Sequence, residues 1–144
     1  MEDISDEKQP IRGAVDDRDW ILQTMAVWAN HGYSVGVTLT TPAGLMCGMV
    51  CSGKEYVEHI ERNLINNFSG DAKQEMTEVF SDWKKPYEVS DDGEDNQDEI
   101  VYIHLREAKL FVGDKFVPAE GTYWRGRISS ISGFALGTMN FNSN

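Results

Sequence analysis

Cysteine is scarce in this chain, with two among 144 residues. Cys47 and Cys51 stand four apart in a segment that reads as strand. At about 3.3 Å per residue they lie roughly 13 Å apart, beyond the ~7 Å between Cα atoms that a disulfide spans. They read as two buried free thiols of a reducing compartment. Histidine is sparse as well. His31, His59 and His104 have no ligand spacing, so no metal site is expected. No apolar run approaches the ~18 residues of a membrane span. The opening residues, Met1-Glu-Asp-Ile-Ser-Asp-Glu, are acidic where a secretory leader needs an apolar stretch. The expected location is cytoplasmic, with no membrane partner.

Catalytic signatures are missing too. There is no Gly-x-Ser-x-Gly elbow. Ser52-Gly-Lys54 lacks the glycine-rich cradle of a phosphate-binding loop. Carboxylates are plentiful, but they crowd into two segments that read as unstructured, and acid–base catalysis needs fixed geometry. No enzymatic activity, catalytic residue or cofactor is expected.

What the chain has is an uneven charge. The net charge is −11. Residues 1–19 hold seven acids against three bases, and residues 88–99 hold seven acids and no base. The remainder carries ten of each. The reading is a disordered acidic tail over 1–16 and a single domain over 17–140. An acidic disordered linker over 87–99 lies inside that domain. The folded part is near neutral, and the length suffices for one core.

Periodicity supplies the elements. A helix is predicted from about Asp17, with Ile21, Met25 and Trp28 on one face and a stop at His31-Gly32. Tyr33–Thr41 alternates, with Tyr33, Val35, Val37 and Leu39 on one side. Pro42-Ala43-Gly44 turns the chain into a second strand, Leu45–Ser52. Ser52 and Glu55 have capping-box spacing. Two helices follow in an insert over 53–85. One is marked by Tyr56, Ile60, Leu64 and Phe68, the other by Met76, Val79, Phe80 and Trp83. Lys84-Lys85-Pro86 ends the second. A strand follows over Ile100–Arg106, with an apolar continuation to Val112. A further strand is expected over Tyr123–Ile131, then a bend or short strand over Gly133–Thr138. The fold class is α+β: a small antiparallel, barrel-like (Sm-like or SH3-like) sheet with an N-terminal helix and a helical insertion between strands two and three.

The densest feature is Tyr123-Trp-Arg-Gly-Arg127. Arginine matches carboxylate and phosphate, and tryptophan is a stacking platform. Tyr123, Trp124, Arg125 and Arg127 are therefore the candidate interaction surface. Three readings stay open for them: contact with a protein partner, pairing of each arginine with a carboxylate on a neighbouring strand, or RNA binding by an Sm-like module. The acidic chain repels phosphate, which argues against nucleic acid. A small-ligand domain or an enzyme of unknown reaction, with a pocket between insert and sheet, is a further alternative.

Three blocks of sequence carry a family likeness. They are Asp19-Trp-Ile-Leu-Gln through Trp28-Ala-Asn-His-Gly32, Val35-Gly-Val-Thr-Leu39 through Tyr56, and Tyr102-Ile-His-Leu-Arg-Glu-Ala-Lys109 with Tyr123–Ile128 and Gly133-Phe-Ala-Leu-Gly137. Together they resemble the gas vesicle accessory proteins of the U type. The resemblance implies a small, non-catalytic cytoplasmic protein that binds vesicle shells or other vesicle accessory proteins, or self-associates as a homo-oligomer. It implies an influence on vesicle assembly, clustering or stress response. It supplies no catalytic residues, and the tail and the acidic linker lie outside the similar blocks.

Overall fold

The computed structural model describes residues 16–90 and 96–139. Most of the expected acidic tail and the centre of the acidic linker lie outside the described residues. Helix α1 (Trp20–Asn30) starts at Asp19, whose carboxylate accepts from the backbone N–H groups of Ile21 and Leu22. That satisfies donors a helix start leaves unpaired. Strands β1 (Gly36–Thr41) and β2 (Gly44–Cys51) form a hairpin. Helices α2 (Gly53–Leu64) and α3 (Gly70–Lys84) make the insert. Strands β3 (Tyr102–Val112), β4 (Lys115–Arg127) and β5 (Gly133–Leu136) complete the chain.

The five strands form one open antiparallel sheet in the order β4-β3-β2-β1-β5. The α+β class, the N-terminal helix and the helical insertion between strands two and three are as the sequence predicts. The sheet must also curl. In a flat sheet β4 and β5 would stand four spacings apart, about 19 Å. Residues 128–132 join them, and Ile128–Ser130 is a 3-10 turn. Such a link spans only about 16 Å. Register shifts between β2 and β3 and between β3 and β4 supply local bends.

The sheet has two covered faces. On one, α1 buries Leu22, Met25 and Ala29 against Val37, Leu39, Val50, Ile103 and Leu105, with Ile128 and Ile131 closing the end. Gln23 is buried there too, and its Nε2 donates to the Ile100 carbonyl at 3.0 Å. On the other face lies α2, and α3 stacks on the outside of α2 through the fully buried Phe80. The Asn30 side chain accepts from the Gly53 N–H at 3.2 Å and so ties the end of α1 to the start of α2.

Several expectations need correction. The inward face of α1 is Leu22, Met25, Ala26 and Ala29, while Ile21 and Trp28 are exposed. β1 begins at Gly36, and Tyr33 is 69 % exposed. Each insert helix buries less than its apolar stripe suggests: Leu64 and Trp83 are exposed, and Val57 and Phe80 do the anchoring. Tyr123–Ile131 is not a strand in its own right. It is the end of a thirteen-residue β4 that starts at Lys115, followed by the 3-10 turn. Part of the acidic stretch is also folded. Gln97–Glu99 form a 3-10 turn, Gln97 donates to the Trp20 carbonyl, and the Asp98 and Ile100 carbonyls accept from Arg18.

Candidate interaction surface

Strand alternation sorts the candidate residues. Trp124 turns to the α1 side and packs against the core. Its ring lies directly over Gly126, where any Cβ would collide with it. Glycine is therefore needed between the two arginines to seat the tryptophan. Tyr123 and Arg125 turn to the opposite face, beneath α2. Arg127 is exposed at the end of the strand. The structure thus brings Tyr123, Arg125 and Arg127 to one side and takes Trp124 away from them.

Two polar clusters fix β4 to the insert. In the first, Glu55 on α2 receives two donors. Arg106 Nη1 reaches Oε1 at 3.1 Å, and the Tyr123 hydroxyl reaches Oε2 at 2.7 Å. Arg106 Nη2 also donates to the Ser34 hydroxyl at 3.0 Å. His59, one turn further along α2, stacks on the Tyr123 ring with centroids 4.3 Å apart. Burial, with the Glu55 hydrogen bond second, pushes the Tyr123 hydroxyl pKa up. Replacing Glu55 with glutamine leaves one amide N–H facing a donor. It is expected to cost about 1–2 kcal/mol, read as a shift in urea midpoint with unchanged slope. Tyr123→Phe should cost less, since it removes the donor and leaves Arg106 in place.

In the second cluster Arg125 lies over the Tyr102 ring, 3.8 Å from its centroid. Its Nη1 donates to the Tyr87 hydroxyl at 2.8 Å and contacts His104 Nε2 at 2.8 Å. A guanidinium only donates, so Nε2 accepts and the His104 proton sits on Nδ1. His104 is buried on β3, against Tyr56 and Tyr87. Burial first, and the Arg125 charge second, push its pKa down to about 3. It is neutral wherever the protein works near neutrality. Tyr87 is held in turn by close packing of its ring on Gly53, where a Cβ would clash.

Cys51 lies at the floor of this face. Burial, with the Glu55 charge second, pushes its thiol up to about 12, so it is no nucleophile near neutral pH. Both cysteines are buried and free, as expected. Among the described residues no group of three or more metal-binding side chains converges, and no helix is long and apolar enough to cross a membrane.

Sequence reasoning missed Glu55, His59, Tyr87 and His104. Glu55 has capping-box spacing, and half the box forms: Ser52 accepts from the Glu55 N–H at 3.0 Å. The carboxylate goes across to β3 and β4 instead. The histidines have no ligand spacing that would single them out. His104 comes opposite Arg125 only through the β3–β4 register, which the sequence does not state.

The fold and these clusters define a small α+β domain whose edge strand is braced from within and displays a cation at its end. Residues 19–139 match the family model described as gas vesicle protein GvpU-like, and the chain belongs to that family, making it a gas vesicle accessory protein. No curated protein and no solved structure matches it.

Proposed function

We infer that this chain is a non-catalytic accessory protein that acts in the cytoplasm. It binds gas vesicle shells or other vesicle accessory proteins, self-associates, and so influences vesicle assembly, clustering or stress response. Family membership supports the vesicle setting. The observation that carries the contact surface is β4 itself: an open edge strand that ends in an exposed Arg127 beside the braced Tyr123 and Arg125. A repeating shell would add many weak contacts through effective concentration. The acidic segments fit a solubilising role or weak contact with the cationic strand of another copy. Either contact would weaken with salt.

The direct test is co-flotation of the purified full chain with purified gas vesicles. The chain is expected in the floating layer at low salt and depleted from it by several-fold at 0.5 M salt. A chain left entirely in the subnatant at low salt would overturn shell binding.

A further inference from the structure

A cleft of 420 Å³ opens between the insert and the sheet. Small-molecule sites fall in the range of roughly 300–1,000 Å³ and combine an apolar lining with a few placed polar groups. Here Tyr56 and Ile60 of α2, Trp83 of α3 and Tyr87 beyond it supply an apolar, mostly aromatic lining. Trp83 is exposed, and Phe80 meets it edge to face, which leaves a flat wall towards solvent. The Tyr87 ring is fixed by its packing on Gly53. The charged groups at the cleft are Asp82 and Arg125.

These two differ in one respect. Asp82 pairs with Lys85 at 2.9 Å. Arg125 has no such counter-charge. Its Nη1 hydrogens go to the Tyr87 hydroxyl and to His104 Nε2, and its plane lies on the Tyr102 ring. All three partners are neutral. Among the described residues no carboxylate pairs with Arg125, and its Nε and Nη2 donors meet no acceptor. Water hydrates these donors, but the guanidinium is already held in one orientation before a ligand arrives. The Tyr87 hydroxyl accepts from Arg125 and keeps its own proton to donate. A planar, preorganised fork matches a carboxylate with two parallel hydrogen bonds. The aromatic walls beside it suit a flat apolar body. Asp82 at the cleft and the net charge of −11 oppose a more highly charged anion such as a phosphate ester.

We propose that this cleft is a binding site for a small aromatic carboxylate, with its carboxylate on Arg125 and its ring against Trp83. Vesicle binding is not required for it.

The experiment is calorimetric titration of the full chain with 2-naphthoate, and in parallel with 2-naphthamide and 2-naphthyl phosphate. Naphthoate is expected to bind saturably, one per chain. The amide keeps the ring and loses the charge, and the phosphate adds charge. Each should bind about tenfold more weakly, the factor expected for losing a charge-assisted hydrogen bond. Arg125→Met should lower naphthoate binding to the level of the amide and leave the amide unchanged. Trp83→Ala should weaken both by a similar factor, because it removes only the ring contact. An Arg125 that merely braces the insert would shift both ligands together or neither. Circular dichroism melts show that each variant is folded. Should Arg125→Met fail to fold, Trp83→Ala at its exposed position and the ligand series still decide. No saturable naphthoate binding at millimolar concentration, or equal binding of naphthoate and naphthamide, overturns the site. Phosphate bound as tightly as naphthoate overturns the assignment to a carboxylate. An Arg125→Met chain that still prefers naphthoate, or a Trp83→Ala chain that binds both as wild type does, places the ligand elsewhere and overturns the proposal.

Discussion

Replacing Phe80 with alanine is expected to lower stability by about 3–5 kcal/mol, the range for a buried aromatic that leaves a cavity. Phe80 is fully buried and is the one buried side chain of α3. It meets Trp83 edge to face, with centroids 5.2 Å apart. Beside it, Lys84 pairs with Glu61 on α2 at 2.8 Å. A partly exposed ion pair of this kind contributes only about 0–1 kcal/mol and cannot replace the ring. The loss should be local first. Hydrogen exchange over residues 70–84 should rise towards the unprotected rate while β2 and β3 stay protected. A change below 1 kcal/mol, with α3 still protected, would show that the insert is held by something other than Phe80.

The second large effect is expected in acid. The pKa of His104 falls from 6.5 to about 3 on folding. As pH drops below 6.5 the unfolded chain takes up a proton that the folded chain refuses. The stabilisation is therefore complete above pH 6.5 and is lost progressively on the way down to pH 3. The slope is about 1.4 kcal/mol per pH unit, and the total is roughly 4 kcal/mol by pH 3. Burial and the Arg62 charge depress His59 in the same direction, which adds to the loss. Urea melts between pH 7 and 4.5 isolate the histidines, since most carboxylates are still ionised there. His104→Gln keeps an acceptor for Arg125 and should flatten that slope. An unchanged slope in the variant would show that His104 is not the group that titrates.

The sequence made the order of elements legible, because each boundary has local chemistry. Asp19 caps, Ser52 caps, Pro86 follows the end of α3, and Gly113 turns β3 into β4. The inward face of α1 was not legible. Trp20–Asn30 has no charged residue, so apolar side chains surround the helix and no stripe stands out. Packing selects the face with Ala26 and Ala29, whose small side chains let the helix lie close to the sheet. The start of β4 was hidden by Pro118, Glu120 and Gly121, residues that argue against a central strand and are tolerated on an edge. Of the candidate surface, the chemistry of Tyr123, Arg125 and Arg127 could be read from the strand. The inward turn of Trp124 depends on the Gly126 contact. The partners of Tyr123 and Arg125 lie far away in sequence, at Glu55, Tyr87 and His104, and only the β3–β4 register and the docking of α2 bring them together.

The central claim is that the exposed end of β4 is the working surface of this gas vesicle accessory protein. Light scattering from purified vesicles mixed with the full chain tests it most directly. Wild type is compared with Arg127→Glu and with Lys73→Glu, the same charge reversal at an exposed position on α3. Wild type and Lys73→Glu are expected to cluster vesicles alike, and Arg127→Glu is expected to lose most of that activity. Equal clustering by both variants would contradict the claim.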